Sequence, residues 1–177
     1  MANIQIDDKI FQPYITQSEI ASAVERVATE LNQTFAGRNP LMVCLLKGGV
    51  FFFVDVLRHL NFPVEMDFLT ISSYSGTQQG ELALYADIQV SPAGREVVLF
   101  DDVADSGATL KFAVEHLKNR GAQSVYTATM FYKPRKLASD ASLDFYGLEV
   151  GDEFIVGYGL DYHNKGRTFP EVYKTSR

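Results

Sequence analysis

An apolar segment that runs directly into acidic residues constrains this chain more than any other feature of its sequence. Residues 97–100 are continuously apolar, which predicts a strand covered on both faces of a parallel sheet. Asp101 and Asp102 follow at the carboxyl end of that strand, where open α/β sheets gather their ligands. Apolar residues with helical spacing begin at Leu110 and continue to Gly121. The sequence therefore predicts a strand, a ligand-binding loop and a helix.

The loop between this strand and this helix has the residues of a phosphate site. Ser106, Gly107 and Thr109 lie at the predicted helix N-terminus, where free N–H groups and the helix dipole favour an anion. Asp105 is itself negative, so proton transfer or cation binding suits it better than phosphate binding. The alternative is an acidic capping turn without a ligand. The two further carboxylates at the strand end disfavour that alternative.

The composition limits the class of protein. A chain of 177 residues with 46% hydrophobic and 21% charged residues is ordinary for one globular domain. Its formal charge of -6 disfavours nucleic acid as a partner, because binding to phosphate backbones relies on a surplus of Lys and Arg. Cys44 is the only cysteine, which precludes an internal disulfide. Without a signal-like N-terminus or a bilayer-length apolar run, we expect a soluble cytoplasmic protein that binds no membrane.

Alternating strand and helix patterns predict an α/β fold with a mainly parallel sheet. Thr16 and Glu19 form a capping-box pattern that begins a helix toward Gly37. The other predicted elements are strands at 41–46, 64–71, 97–100, 125–131 and 154–158, helices at 50–60 and from 110, a polar loop at 75–80 and a hairpin arm at 81–90. No repeat or linker divides the sequence, so a single domain over residues 1–177 is predicted.

Residues 101–109 resemble the phosphoribosyl-pyrophosphate (PRPP) loop of the type I phosphoribosyltransferases: two acids, two apolar residues, then Asp-Thr/Ser-Gly-x-Thr. Three further segments narrow the resemblance to the hypoxanthine-guanine phosphoribosyltransferases: 45–49 (Leu-Leu-Lys-Gly-Gly), 72–76 (Ser-Ser-Tyr-Ser-Gly) and 154–162 followed by Arg167. The resemblance implies a five-stranded parallel core sheet flanked by helices. It also implies a core at about 38–135 and a small hood built from about 1–15 and 136–177.

The implied reaction is purine salvage. A purine nitrogen displaces pyrophosphate from PRPP, giving IMP from hypoxanthine or GMP from guanine. In this resemblance Asp105 is the catalytic acid/base, which exchanges a proton with the purine N7. The 5′-phosphate would be bound by the whole loop: Asp105, Ser106, Gly107, Ala108 and Thr109. Many relatives carry lysine where this chain has Ala108.

The resemblance also implies a pyrophosphate site and Mg²⁺ as cofactor. The pyrophosphate would contact Lys47, Gly48, Ser73, Tyr74 and Arg167. Asp161 matches a residue that holds one magnesium, while Asp101 and Asp102 match the pair that reads the ribose hydroxyls, with a second magnesium. Relatives frequently have Glu-Asp where this chain has Asp-Asp. The segment 163–166 is less aromatic than in many relatives.

The purine would be bound by Lys133, Phe154, Ile155 and Asp161. An ammonium only donates hydrogen bonds, so Lys133 should favour purines with a 6-oxo group over adenine. Two alternatives stay open: a PRPP-binding regulator on the same fold, and a phosphoribosyltransferase for another base such as xanthine. Self-association as a homodimer or homotetramer is implied by the resemblance.

Overall fold

The computed structural model describes residues 2–73, 82–138 and 143–176. The strands in these ranges are β1 (Ile4–Ile6), β2 (Lys9–Ile15), β3 (Leu41–Leu46), β4 (Glu65–Ser73), β5 (Leu82–Ala86), β6 (Glu96–Ala104), β7 (Ser124–Tyr132), β8 (Phe145–Glu149), β9 (Ile155–Val156) and β10 (Val172–Thr175). The helices are α1 (Gln17–Thr34), α2 (Val50–Leu57) and α3 (Ala108–Asn119). No helix in these ranges is long and apolar enough to cross a membrane.

The central sheet has the strand order β5-β4-β3-β6-β7-β8. Five of its strands are parallel, and β5 joins one edge antiparallel to β4, as the predicted hairpin arm. The α/β fold with its mainly parallel sheet is thus confirmed. The predicted loop at 75–80 lies outside the described residues.

The strands at the C-terminal end were predicted only in part. The fifth parallel strand is β8, in a stretch for which the sequence pattern predicts no strand. Gly147 lies inside β8, where glycine weakens the strand pattern, and an added Cβ there would lie 2.5 Å from the carbonyl oxygen of Met130. The predicted strand at 154–158 is reduced to β9, which belongs to the second sheet.

Helices cover both faces of the central sheet and bury separate cores. On one face, α1 and α2 contribute apolar side chains such as Val27 and Phe53, and on the other α3 contributes Leu110 and Leu117. The capping box that begins α1 is present, because the Glu19 backbone N–H donates to Thr16 Oγ1 at 3.2 Å. The helix predicted at 50–60 ends earlier, at Leu57.

A second sheet, here called the hood, combines both ends of the chain in the order β1-β2-β10-β9. Its strands pair antiparallel throughout. A small separate core lies beneath it, formed by Ile6, Phe11, Val156 and Tyr173. Because β9 leads into residues 157–167, the hood fixes the start of a segment that reaches the carboxyl ends of the central strands.

Cys44 provides a test of how tightly the central sheet is packed. The side chain is fully buried in β3, and burial raises the pKa of its thiol, with further contributions from Asp101 and Asp102. The protonated, inaccessible thiol is not nucleophilic. We expect Ellman's reagent at pH 8 to release no thiolate chromophore from the native protein and one equivalent per chain in guanidinium. Rapid reaction of the native protein would contradict this packing.

Candidate active site

Asp101 and Asp102 lie within β6 rather than after it, because pairing with β7 continues beyond Phe100. The prediction that the strand ends at 100 was therefore wrong. The Asp101 Oδ1 atom accepts from the Asp102 N–H at 2.9 Å, and Asp102 Oδ1 accepts from the Val103 N–H at 2.7 Å. These hydrogen bonds hold the two carboxylates in fixed positions near the carboxyl end of β6.

The environment of this pair disfavours two negative charges. Burial raises the pKa of Asp101 well above its usual range, and the neighbouring Asp102 carboxylate raises it further. Burial also raises the pKa of Asp102, although the guanidinium of Arg167 opposes that effect. A site that crowds two carboxylates together attracts cations and hydroxyl donors. It can therefore bind a metal ion or a ribose.

The loop after β6 forms the wall of a cavity of about 360 Å³. Gly107 has a φ of 81° and precedes the first residue of α3, so the loop turns sharply into the helix N-terminus. The Ser106 Oγ atom accepts from the Ala108 N–H at 3.3 Å. The cavity is lined by Leu45, Leu46, Gly48, Ile71, Asp101, Asp102, Val103, Ala104, Asp105, Ser106, Gly107, Ala108, Thr109, Leu110, Asp161 and Arg167.

Two lysines contact the carboxylate of Asp105. Lys133, only 5% exposed, places its Nζ 3.2 Å from Asp105 Oδ2 and donates to the carbonyl oxygen of Glu153 at 3.1 Å. Lys136 places its Nζ 3.4 Å from Asp105 Oδ1. The contact of Lys136 was not predicted, because the basic run 133–136 also suits a solvated surface. These contacts attach the turn after β7 to the loop after β6.

The turn after β3 packs directly on the carboxylate pair. A Cβ added to Gly48 would lie 1.6 Å from Asp102 Oδ2, so a larger residue would displace this carboxylate. The peptide bond between Leu46 and Lys47 is cis. Gly48 lines the cavity, whereas the exposed Lys47 does not.

Asp161 and Arg167 enter the same cavity from the segment after β9. The guanidinium of Arg167 pairs with Asp161 Oδ1 and donates to the Gly159 carbonyl oxygen at 2.5 Å. The Asn164 N–H donates to Asp161 Oδ2 at 2.7 Å. Both carboxylate oxygens of Asp161 thus have protein donors, which fix its position.

The turn between β1 and β2 contacts the segment that carries Asp161 and Arg167. The Tyr162 hydroxyl donates to Asp8 Oδ1 at 2.9 Å. Asp7 pairs with Lys165 and lies 3.3 Å from His163 Nδ1. The segment 163–166 is thus bound through the side chains of His163 and Lys165. No sequence pattern linked these two distant regions.

The predicted purine-binding residues are only partly brought together. Phe154 is 45% exposed, packs beside Phe11 and Tyr162, and does not line the cavity. Ile155 is buried in β9 and pairs with Lys174. Both residues follow Glu153, whose carbonyl binds Lys133. The side chain of Ser73 and all of Tyr74 lie outside the described residues.

Comparison with known proteins identifies the family of this chain. Residues 14–163 match the phosphoribosyl transferase domain. A hypoxanthine-guanine phosphoribosyltransferase of Streptococcus thermophilus is 38% identical over 159 residues, which cover 89% of this chain and 88% of that protein. The chain belongs to the hypoxanthine-guanine phosphoribosyltransferase family. A family member with a broader name, the hypoxanthine-guanine-xanthine phosphoribosyltransferase of Tritrichomonas foetus, is 34% identical over 97% of this chain and 95% of its own length.

The fold of the family is shared along nearly the whole chain. The crystal structure of a hypoxanthine-guanine phosphoribosyltransferase from Bacillus anthracis superposes with a TM-score of 0.87 at 30% identity. The superposition covers 96% of this chain and 99% of that one. The cavity described above therefore lies in a phosphoribosyltransferase fold.

Gly159 joins two loops of this phosphoribosyltransferase site and provides a direct test of their contact. Its φ is 100°, and an added Cβ would lie 2.1 Å from the Gly48 carbonyl oxygen. We expect Gly159→Ala to destabilise the fold by about 1–3 kcal/mol, from backbone strain and this clash. Because a small displacement of groups that position substrate is costly, phosphoribosyl transfer should also fall by at least about tenfold. Thermal unfolding and a transfer assay measure the two effects.

Gly94→Ala is the matched control for this substitution. Gly94 also has a positive φ, 70°, but an added Cβ would meet no atom within 4 Å. It therefore carries the backbone strain without the clash, and its transfer rate should stay near that of the unchanged enzyme. Equal transfer rates for the two variants would contradict a role for the contact between Gly159 and Gly48.

Proposed function

We propose that this chain catalyses purine salvage, transferring the 5-phosphoribosyl group of PRPP to N9 of hypoxanthine or guanine. The products are IMP or GMP and pyrophosphate. The observation that carries the proposal is the convergence of three loops on one cavity. β6 and the loop after it contribute the carboxylate pair and a helix N-terminus, the turn after β3 contributes Gly48, and the segment after β9 contributes the Asp161–Arg167 pair. Membership of the hypoxanthine-guanine phosphoribosyltransferase family supports the same reaction.

The phosphate and ribose of PRPP are assigned to the β6 loop. Residues 105–109 would bind the 5′-phosphate through backbone N–H groups and the hydroxyls of Ser106 and Thr109. Asp101 and Asp102 would accept hydrogen bonds from the ribose hydroxyls. Their fixed positions, set by backbone N–H donors, support this assignment because they need no rearrangement to receive a hydroxyl.

The pyrophosphate is assigned to the opposite wall of the cavity. Arg167 would bind its oxygens through a planar guanidinium, with Gly48 approaching through its backbone. Lys47, Ser73 and Tyr74 complete the proposed set, although Lys47 does not line the cavity in this structure. Positive charge on this wall would stabilise the negative charge that develops on the leaving group.

Magnesium is the proposed cofactor, and the residues fit it. Within the described ranges no three His, Cys, Asp or Glu side chains cluster as a metal cage. Mg²⁺ commonly takes only one or two carboxylates with waters and substrate oxygens, which suits Asp161 on one side and Asp101 with Asp102 on the other. When bound there, the ion would neutralise charge on the pyrophosphate.

The purine is assigned to the region of Lys133, Phe154, Ile155 and Asp161. The Lys133 ammonium has three N–H donors and two protein acceptors, so one donor is left for a 6-oxo group. Phe154, nearly half exposed, offers a ring face for stacking. Asp105 would take the proton from N7 as N9 bonds to the ribose carbon.

We further propose that the chain acts in the cytoplasm as a homodimer or homotetramer. Met66 and Phe68 support self-association, because these apolar residues are 56% and 37% exposed on one face of β4. Sedimentation equilibrium at micromolar concentration tests the assembly, and a monomer throughout that range would contradict it. Cell fractionation tests the location.

The deciding experiment offers hypoxanthine, guanine, xanthine and adenine separately with PRPP and Mg²⁺. We expect rapid formation of IMP and GMP and little AMP. Preferred formation of XMP would keep the proposed mechanism but identify xanthine as the substrate base. Xanthine is one of the bases in the name of the Tritrichomonas foetus relative. PRPP binding without product from any base would favour the regulator.

A further inference from the structure

We propose that Lys136 is a positioning residue for the reaction, fixing the carboxylate of Asp105 through the oxygen that Lys133 does not contact. The inference rests on the proposed function, in which Asp105 exchanges a proton with the purine. Lys136 was not among the residues predicted from the sequence, and its role follows from its place beside Asp105.

Each of the two lysines contacts a different oxygen of the Asp105 carboxylate. Lys133 Nζ lies 3.2 Å from Oδ2, and Lys136 Nζ lies 3.4 Å from Oδ1. Each carboxylate oxygen has two lone pairs, so one on each oxygen remains free after both contacts. Asp105 can therefore be held at both oxygens and still accept the proton of the purine.

The backbone of the turn places Lys136 at this position. Its N–H donates to the Lys133 carbonyl oxygen at 3.0 Å, closing a tight turn after β7. Two residues later, the Ala138 N–H donates to the Ser106 carbonyl oxygen at 3.2 Å. The turn is therefore attached to the same loop that carries Asp105. The Lys136 side chain is 43% exposed, and the hydrogen bonds of the turn hold its backbone beside the loop that carries Asp105.

Lys136 can hold Asp105 when Lys133 has a second task. In the proposed reaction Lys133 must also donate to the 6-oxo group of the purine, which draws its ammonium away from Asp105. Lys136 faces no such demand. It keeps the Asp105 carboxylate in position while the N7 proton passes to it. At the same time N9 forms its bond to the ribose carbon, and the bond from that carbon to pyrophosphate breaks with its electron pair on the leaving group.

The test compares three variants of the whole enzyme by single-turnover measurement of IMP formation, which separates the transfer step from product release. For Lys136→Met we expect the rate constant to fall about tenfold, a part of the 10²- to 10⁴-fold that general acid/base groups contribute. The KM values for hypoxanthine and PRPP should stay within about twofold. Lys136→Arg should restore most of the rate, because it returns the positive charge.

Arg135→Met is the matched control. Arg135 lies in the same basic run, is exposed, and forms no ion pair with any residue of the described ranges. Its removal changes net charge equally and should leave the rate constant unchanged. An equal loss in this variant would assign the effect to general electrostatics and overturn the role of Lys136.

A second base makes the test specific to proton transfer. 8-Azahypoxanthine has a more acidic ring N–H than hypoxanthine and so depends less on a well-placed proton acceptor. The loss caused by Lys136→Met should be smaller with this base. An equal loss with both bases, or a KM for hypoxanthine that rises in step with the lost rate, would overturn the proposal.

These outcomes also separate the inference from the proposed function. Transfer by the unchanged enzyme together with an undiminished rate in Lys136→Met would overturn only the role of Lys136. Absence of transfer by the unchanged enzyme would overturn both.

Discussion

Asp105→Asn is expected to lower the rate of phosphoribosyl transfer by about 10²- to 10⁴-fold, the usual contribution of a general acid/base group. The amide keeps the size of the side chain but has lost the carboxylate that we propose as the acceptor of the purine proton. The KM for PRPP should change little, because the backbone N–H groups of residues 106–109 remain in place. Steady-state assays with hypoxanthine, followed by single-turnover measurement, give both quantities.

A loss of stability could imitate this result, so folding must be measured alongside. Lys133 is almost fully buried, and the asparagine would leave its ammonium without a full ionic partner on one side. Thermal unfolding should show that the variant remains folded at the assay temperature. Glu115→Gln, an exposed change on α3, is the control for charge loss. A folded Asp105→Asn variant with nearly full activity would contradict the catalytic role.

Lys133→Met is expected to lower kcat/KM for hypoxanthine and guanine by about 10- to 150-fold, as loss of a charged hydrogen bond of about 1.5–3 kcal/mol implies. Discrimination against adenine should fall with it, because a methionine cannot donate to a 6-oxo group. The methionine is close in size and apolar, so it suits the buried position. Comparing kcat/KM for hypoxanthine, guanine and adenine measures both effects.

The same substitution at an exposed lysine of α3, Lys118→Met, controls for the loss of one charge. It should leave all three kcat/KM values near those of the unchanged enzyme. If Lys133→Met lowered the values for adenine and hypoxanthine equally, Lys133 would not be the residue that reads the 6-oxo group.

The central part of the fold could be predicted because its signals are local. The capping box of Thr16 and Glu19, the apolar run before Asp101 and the helical spacing from Leu110 each lie within a few residues. Strand β8 escaped prediction because Gly147 packs against the backbone of Met130, a contact that only the folded sheet supplies. The hood strands β9 and β10 are too short to show a period of two.

In the candidate site, too, the local motif could be predicted from the sequence and the long-range contacts could not. Residues 101–109 form one contiguous motif, so their place beside one another follows from chain order. The contacts of Asp105 with Lys136, and of Asp8 with Tyr162, join segments far apart in the sequence. Neither has a periodic or compositional pattern, because lysines in a basic run and acids in a turn are ordinary surface residues. Such contacts depend on tertiary packing and could not be predicted from this sequence.

The hood has a consequence for how the enzyme responds to heat. Asp161 and Arg167 belong to a segment that is held partly by the turn between β1 and β2. Among the described residues, the separate core beneath the hood has four buried side chains, while Ile15, Ile155 and Val172 of the hood are buried in one of the two large cores. Small, thinly packed units open locally at lower free energy than the whole protein unfolds. Local opening of β1 and the turn that follows it, whose one buried side chain, Ile6, lies in that small core, would release the contacts that hold the segment at 157–167 while the central sheet stays folded. The temperature at which activity disappears would then report the stability of the N-terminal edge of the hood rather than that of the central sheet.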